Sequence, residues 1–248
     1  MTDSTLENTP SPQPETAAAP DHQTLTWDEG DMPYSREFGD HFYCRTDGRL
    51  ECGHVFLAGN GLPERFKGKA DFTIGELGFG TGLNFCETWR QFRETPGSGE
   101  RLHFVSFERF PMQRAEIDRA LSHWPEIERE RLALAAAWPD EPAGRVVLDL
   151  GDRVRLIVVC GTAFEEIGRF DGLFDAWYLD GFAPSRNPDM WSAELMRLVH
   201  DKTRPGGSFA TYAAAGFVRR NLQSAGFAIE RRKGFAGKRE MLCGLKQG

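Results

Sequence analysis

The 248-residue sequence lacks a long hydrophobic run, and no stretch approaches the roughly 18 apolar residues that a membrane-spanning helix needs. Its first 23 residues also lack the basic start and apolar centre of a secretory signal peptide. We therefore expect a soluble, cytoplasmic protein without a membrane partner. Residues 1–23 are polar and rich in Pro, Thr, Ser and Ala, and this composition predicts a disordered tail.

Cysteine is scarce, and none of the five cysteines forms a CxxC pair, which argues against a disulfide framework or a zinc knuckle. His41, Cys44, Cys52 and His54 lie near one another, but their spacing matches no recognised ligand pattern, so we predict no metal site. Basic residues are also in deficit. The net charge of −7 excludes a globally basic nucleic-acid binder, although it leaves room for a local basic patch.

What the sequence does contain, from residue 70 onward, is an alternation of strand and helix patterns. The strand-like segments are 71–78, 102–110, 154–161, 174–182 and 206–213, and helical stretches separate them. This order predicts an α/β fold with a doubly wound, mostly parallel, Rossmann-like sheet and helices on both faces. Two final runs, 227–235 and 239–245, predict an antiparallel hairpin at one edge of that sheet.

The segment before this alternation predicts a smaller attachment. Two strand-like runs flank Thr46-Asp47-Gly48-Arg49, and Asp-Gly between such runs is a hairpin signal. The predicted organisation is therefore a tail at 1–23, an N-terminal β-hairpin extension at 24–69 and one α/β domain at 70–248.

A glycine-rich loop, GELGFGTGLNF, follows the first strand of the α/β domain. Such a turn lets the backbone approach a ligand closely and directs helix N-terminal amides toward it. Its spacing, E-x-G-x-G-x-G, comprises Glu76, Gly78, Gly80 and Gly82. A dinucleotide fingerprint that began at Gly78 would need Gly or Ala at position 83, which is Leu83, so NAD is not favoured.

Two acidic residues follow later strands. Glu108 ends the second strand, where a carboxylate offers two acceptors to the hydroxyls of a ribose. Asp180 follows the apolar run AWYL and opens a Pro-containing loop over the expected ligand crevice. A glycine loop with these two acids predicts a class I methyltransferase that binds S-adenosylmethionine (SAM). A dinucleotide-dependent oxidoreductase, a catalytically inactive RNA-binding module and a methyltransferase for some other amine stay open as alternatives.

Several longer segments resemble the methyltransferase of the MnmC/MnmD family: VFLAGNGLPERF, GELGFGTGLNF, LHFVSFERFP, DAWYLDGFAPSRNPDMW and RKGFAGKREMLCG. The resemblance implies SAM-dependent N-methylation of 5-aminomethyl-(2-thio)uridine at the wobble position of tRNA, with the anticodon stem-loop as partner. Many family members carry this domain fused to an FAD-dependent oxidoreductase. No second Rossmann pattern follows here, so the chain resembles the stand-alone form, with a separate FAD-dependent oxidoreductase acting upstream; a fragment of a bifunctional protein stays open as the alternative.

The resemblance also implies residue roles. Asp180 would be catalytic, because it stands where DPPY-type amino methyltransferases carry their acid. Thr162 stands where family members carry an aspartate, and its hydroxyl would accept only weakly from the adenine amino group. The expected cofactor-binding residues are Glu76, Gly78, Gly80, Gly82, Leu83, Asn84, Glu108, Gly161, Thr162 and Asp180.

Candidate substrate residues lie in the loop after Asp180 and near the C terminus. Phe182 and Pro184 are placed to wall the uracil by stacking, although Phe182 is equally consistent with internal packing. Basic clusters are typical of phosphate contacts. The tRNA contacts predicted on this ground are Arg186, Arg219, Arg220, Lys238 and Arg239.

Overall fold

The computed structural model describes residues 25–99, 101–151 and 153–248, and the predicted tail at 1–23 lies outside them. Within these residues a small three-stranded antiparallel sheet precedes an eight-stranded, mostly parallel sheet with helices on both faces. The predicted α/β class, the mostly parallel sheet and the antiparallel C-terminal hairpin are confirmed.

The N-terminal region comprises β1 (Leu25–Asp28), β2 (Met32–Ser35), β3 (Asp40–His41) and α1 (Gly48–Cys52), followed by a π-helical turn (Gly53–Leu57) and two short 3₁₀ turns (Ala58–Asn60, Glu64–Phe66). The α/β part begins with β4 (Asp71–Leu77), α2 (Leu83–Glu94), β5 (Arg101–Glu108), α3 (Arg114–Leu121), a 3₁₀ turn (Pro125–Ile127) and α4 (Glu128–Ala137). It continues with β6 (Arg145–Leu150), β7 (Val154–Cys160), α5 (Ala163–Arg169), β8 (Phe174–Leu179), a 3₁₀ turn (Pro188–Trp191) and α6 (Ala193–Asp201). It ends with β9 (Thr203–Thr211), α7 (Gly216–Ala225), β10 (Phe227–Arg232) and β11 (Met241–Lys246).

The large sheet has the order β10-β11-β9-β8-β4-β5-β7-β6. Strand β11 runs antiparallel to both β10 and β9, and β6 runs antiparallel to β7, whereas the four pairings from β9 to β7 are parallel. The chain leaves β4 toward β5 on one side and later returns to β8 on the other. The point between β4 and β8 is therefore the topological switch point, where ligands bind in open α/β sheets.

Two elements of the α/β part were not predicted. Strand β6 lies at a sheet edge and is mostly exposed, so its apolar pattern is weak. Helix α5 has seven residues, which is too short for a helical period to emerge from the sequence.

The predicted hairpin turn at Thr46–Arg49 is wrong. The carboxylate of Asp47 accepts a hydrogen bond from the backbone N of Leu50 at 3.0 Å, so Asp47 caps the start of α1 rather than turning a hairpin. The antiparallel attachment exists, but it lies earlier, where β1 and β2 pair from Leu25↔Ser35 to Asp28↔Met32. The Asp-Gly dipeptide does not distinguish a hairpin turn from a helix start, because an Asp side chain accepts backbone hydrogen bonds in both.

The residues after α1 are part of the main hydrophobic core. Phe56 stacks on Tyr178 of β8, and Phe66 packs edge-to-face against Phe72 of β4. The buried Asn60 side chain donates to the backbone oxygen of Trp177 at 3.1 Å and accepts from the hydroxyl of Ser208 at 2.6 Å. These contacts fix the N-terminal region on one face of the sheet, beside the carboxyl ends of its strands.

Candidate active site

A cavity of about 650 Å³ lies at the carboxyl ends of β4, β5 and β8, between the sheet and the N-terminal region. This is a typical size for a small-molecule or cofactor site. Of the predicted site residues, nine line it: Gly78, Gly80, Leu83, Asn84, Glu108, Thr162, Asp180, Phe182 and Lys238.

The glycine loop has the backbone conformation that the spacing of its glycines suggested. Gly78, Gly80 and Gly82 have φ values of +78°, +53° and +78°, a conformation that favours glycine. A Cβ on Gly82 would lie 2.9 Å from the ring of Phe79, so this position also has no room for a side chain. Gly78 and Gly80 face the cavity, whereas Gly82 forms the turn into α2.

Glu108 is held at the end of β5 by the loops on either side of it. One carboxylate oxygen accepts from the backbone N of Gly80 at 2.9 Å, and the other accepts from that of Phe110 at 2.8 Å. Each oxygen keeps a second lone pair that is free to accept a ligand hydroxyl. The backbone therefore orients this carboxylate toward the cavity before any ligand binds.

Asp180 belongs to a chain of hydrogen bonds that runs from the sheet into the cavity. Its Oδ1 accepts from the backbone N of Gly181 at 2.8 Å, and its Oδ2 accepts from Nδ2 of Asn84, also at 2.8 Å. The same Nδ2 donates to the fully buried Glu76 at 3.0 Å. Asn84 thus links the acid on β4 to the acid that follows β8.

Burial governs the protonation of both acids. The surrounding protein raises the pKa of Asp180 to about 7, although its hydrogen bonds from Gly181 and Asn84 oppose the shift. Burial likewise raises the pKa of Glu76 well above its usual range. Asp180 is therefore poised to exchange a proton near neutral pH, whereas Glu76 favours its neutral form.

These residues fit SAM. The open backbone of Gly78 and Gly80 faces one part of the cavity, and the oriented Glu108 carboxylate suits the hydroxyls of a ribose. Phe110 and Phe164 line the same cavity and offer aromatic surface to an adenine, and Thr162 lies at that end. The lining thus suits the ribose and the adenine of an adenosyl cofactor.

Other predicted residues support the site without lining the cavity. Glu76 lies beneath Asn84, and Gly161 donates its backbone N–H to the carbonyl oxygen of Glu108 at 2.9 Å. Leu83, which does line the cavity, begins α2, and a Cβ at Gly48 of α1 would lie 2.8 Å from its side chain, so α1 and α2 pack closely here. Pro184 is half-buried but does not line the cavity.

The N-terminal region covers the loop that follows Asp180. Phe38 stacks on Phe182 with ring centroids 4.6 Å apart, and Asp40 accepts from the backbone N of Ala183 at 3.1 Å. Arg186 donates to the carbonyl oxygens of Phe38 and Gly39. Phe182 therefore packs against the N-terminal region while still facing the cavity. Arg186 connects the loop after Asp180 to the same region by hydrogen bonds.

Sequence reasoning missed the residues that this cover contributes to the cavity, among them Phe38, Asp40, Phe42 and Glu51. The acid Glu51 carried one usable signal. It is a carboxylate inside a mostly apolar segment, LECGHVFLAG, where a charge is costly unless it is paired.

Glu51 is paired with Lys238, which sequence reasoning assigned to tRNA phosphates. The Nζ of Lys238 lies 2.6 Å from Oε1 of Glu51 and 4.6 Å from the ring centroid of Tyr212. Tyr212 in turn donates its hydroxyl to the carbonyl oxygen of Gly181 at 2.5 Å. This trio lies against the same cavity as Asp180.

The other basic residues that were predicted to contact tRNA lie outside the cavity. Arg219 and Arg220 belong to the first half of α7, which starts after β9 and so at the carboxyl edge of the sheet. Arg239 is exposed in the connection between β10 and β11, which leaves the same edge. Their role in tRNA binding stays a prediction.

The structure and sequence were compared with known proteins. Residues 125–247 match a family model described as S-adenosyl-L-methionine-dependent methyltransferase. Two bifunctional proteins named for tRNA 5-methylaminomethyl-2-thiouridine biosynthesis, MnmC of Chromohalobacter salexigens and MnmC of Pseudomonas aeruginosa PAO1, are 46% and 45% identical over 93% and 92% of this chain. The chain spans only about a third of their length, 34% and 35%.

Among solved structures, MNMC2 from Aquifex aeolicus has a TM-score of 0.70, covering 93% of this chain and 71% of that chain at 20% sequence identity. This likeness establishes the fold. Within the described residues, no helix is long and apolar enough to cross a membrane.

Proposed function

We propose that this chain, which belongs to the S-adenosyl-L-methionine-dependent methyltransferase family, methylates the 5-aminomethyl group of the wobble uridine in tRNA. The single observation that carries the proposal is Asp180, a carboxylate with a pKa of about 7 in a cavity beside the glycine loop. The names of the relatives supply the substrate, since both refer to 5-methylaminomethyl-2-thiouridine in tRNA. A tRNA substrate places the reaction in the cytoplasm.

The chemistry requires an amine with a free lone pair. When bound, SAM supplies an electrophilic methyl group on a sulfonium. Primary alkylamines have pKa values near ~10 and arrive at neutral pH as ammonium ions. The carboxylate form of Asp180 accepts the surplus proton, which leaves the amine with a free lone pair.

Asp180 also has to point at the amine. Its two oxygens are held by Gly181 and Asn84, so the side chain does not need to reorganise when substrate enters. Such preorganisation of a charged group is a large part of enzymatic rate enhancement. The backbone of Gly78 and Gly80 and the carboxylate of Glu108 would hold the cofactor beside it.

For the tRNA, we propose that Arg219, Arg220 and Arg239 contact phosphates around the anticodon stem-loop, because they lie at the edge of the sheet where the cavity opens. Arg186 reaches the same rim from the loop after Asp180. The 5-aminomethyl group itself has to come from an earlier reaction. We propose an FAD-dependent oxidoreductase as its source, in keeping with the bifunctional nature of the relatives.

Single-turnover methylation of synthetic anticodon stem-loops tests the proposal. One RNA carries 5-aminomethyluridine at the wobble position, and its matched control carries unmodified uridine. We expect transfer to the first RNA alone, with the methyl group located on the side-chain nitrogen by mass spectrometry. Methylation of the control, or of an exocyclic base amine in either RNA, would favour the alternative of a methyltransferase for another amine.

A further inference from the structure

A second carboxylate, that of Glu51, lies in the cavity with Asp180, and proton transfer by Asp180 leaves it without a role. Glu51 belongs to α1, and its side chain is only 11% exposed. The segment that follows α1 is fixed to the sheet through Asn60, so Glu51 has little freedom to leave. A buried carboxylate requires a cationic partner, because its desolvation is otherwise costly.

The partner that it has is an alkylammonium. Lys238 presents Nζ to Oε1 of Glu51 at 2.6 Å and places the same group over the face of Tyr212. A carboxylate together with an aromatic face is a favourable environment for such a cation. The hydroxyl of Tyr212 bonds to the carbonyl oxygen of Gly181, the residue after Asp180, so this environment adjoins the proposed catalytic acid.

The two partners differ in their freedom to move. The Lys238 side chain is 42% exposed, compared with 11% for Glu51, and it belongs to a connection between strands rather than to a helix packed on the sheet. A lysine with a flexible stem at that exposure is able to turn into solvent, whereas the glutamate is not. Lys238 is therefore able to leave the pair, and another cation is able to take its place at Glu51.

We infer that Glu51 and Tyr212 form an alkylammonium subsite, which Lys238 fills in this structure and which the aminomethyl group of the substrate takes over. The inference deepens the proposed function and rests on it. The substrate ammonium carries the same charge and the same three donors as the Lys238 Nζ. The subsite would select an amine over a neutral group of similar size, before Asp180 receives the proton.

The same carboxylate also suits the later stage of the reaction. When the neutral amine takes the methyl group, the new nitrogen–carbon bond would form as the methyl–sulfur bond breaks, and the positive charge would pass from the sulfur to the nitrogen. A fixed negative charge beside that nitrogen stabilises the developing ammonium without reorganisation. Glu51 would thus serve in both substrate selection and the transition state.

Equilibrium binding without SAM separates this subsite from general tRNA affinity. Two stem-loop RNAs are compared, one with 5-aminomethyluridine and one with 5-hydroxymethyluridine at the wobble position. The ratio of their Kd values cancels phosphate contacts, which both RNAs share. We expect the native protein to prefer the amine about ten-fold, the scale of one charge-assisted contact, and Glu51→Gln to bring the ratio close to one.

The Lys238→Met variant gives the opposite expectation. It removes the competing cation while it keeps a side chain of similar length, so the ratio should rise above that of the native protein. Lys233→Met is its matched control, since it removes an exposed lysine from the same connection outside the cavity and should leave the ratio unchanged. Glu126→Gln is the control for Glu51→Gln, because Glu126 touches α1 through Arg49 but does not line the cavity.

An unchanged ratio in Glu51→Gln, or a native protein that binds both RNAs equally, would overturn the subsite. If Glu51→Gln does not fold, Lys238→Met alone decides, and a ratio that stays the same or falls counts against the subsite. Failure of the proposed function looks different, because the native protein would then not methylate the aminomethyl RNA at all.

Discussion

The cavity is built by two regions of different kinds. The carboxyl edge of the large sheet contributes the glycine loop and Asp180, each directly after a strand, and Glu108, the last residue of β5. The N-terminal region, residues 25–69, contributes Phe38, Asp40 and Glu51 from short strands, a helix of five residues and their connections. The nine predicted residues that line the cavity all lie in the first region, whereas the second was predicted as a hairpin in the wrong place.

The difference reflects how each region is held. Parallel strands impose a common direction, so the residues after each strand meet at one edge wherever they lie in the sequence. The N-terminal region shares part of the hydrophobic core, but its cavity-lining residues are placed by individual long-range contacts, such as that of Asp40 with Ala183 or Lys238 with Glu51. We infer that the two regions have different roles. The sheet edge binds the cofactor and carries out proton transfer, and the N-terminal region recognises the amine.

The largest expected effect belongs to the sheet edge. Asp180→Asn should lower single-turnover methylation at pH 7 by on the order of 10²-fold or more, because it removes the proton acceptor. SAM affinity, measured by equilibrium dialysis, should stay near that of the native protein. The native rate should level off above a pH of about 7, where Asp180 is ionised, while the variant's rate should keep rising as more amine is neutral. A variant with the native rate at pH 7 would remove Asp180 from catalysis.

Next in size is the loss of cofactor binding in Glu108→Ala. This change removes the predicted ribose acceptor and the acceptor for the backbone N–H groups of Gly80 and Phe110. SAM should bind about ten-fold more weakly or worse, since contacts to a charged group are among the stronger ones. Glu165→Ala, an equal charge change on the exposed side of α5, is the control and should leave the affinity unchanged. Equal affinities in the two variants would contradict the assignment of Glu108.

A smaller effect is expected when a contact between the N-terminal region and the loop after Asp180 is removed. Asp40→Ala removes the acceptor of the Ala183 backbone N–H and should lower kcat/KM for the RNA roughly five-fold, the scale of one net hydrogen bond, with SAM affinity retained. Glu37→Ala changes an exposed acid in the same connection and serves as the control. If SAM affinity fell in Asp40→Ala as far as kcat/KM did, the two regions would not divide their tasks as proposed.

The smallest expected effect is a shift in the pH profile. Besides Glu51 and Lys238, the titratable groups that interact with Asp180 are Glu76, Cys52 and Tyr212. The negative charge of Glu51 raises the pKa of Asp180, and the positive charge of Lys238 lowers it.

Glu51→Gln should therefore move the acidic limb of kcat/KM against pH, which reports the free enzyme, to lower pH, and Lys238→Met should move it to higher pH, each by on the order of half a unit. Shifts in the same direction would show that these variants act through general disturbance of the fold.

The α/β class, the mostly parallel sheet and part of the cavity lining at the sheet edge were predictable from the sequence. Strand and helix periods are local, and glycines with positive φ leave a direct trace in composition, as Gly78, Gly80 and Gly82 do. Only the tertiary structure decided that Asp47 caps a helix, that Phe182 packs under Phe38, and that Lys238 pairs with Glu51, 187 residues away. Pairing at such separation depends on which surfaces the fold brings together, and no local pattern encodes it.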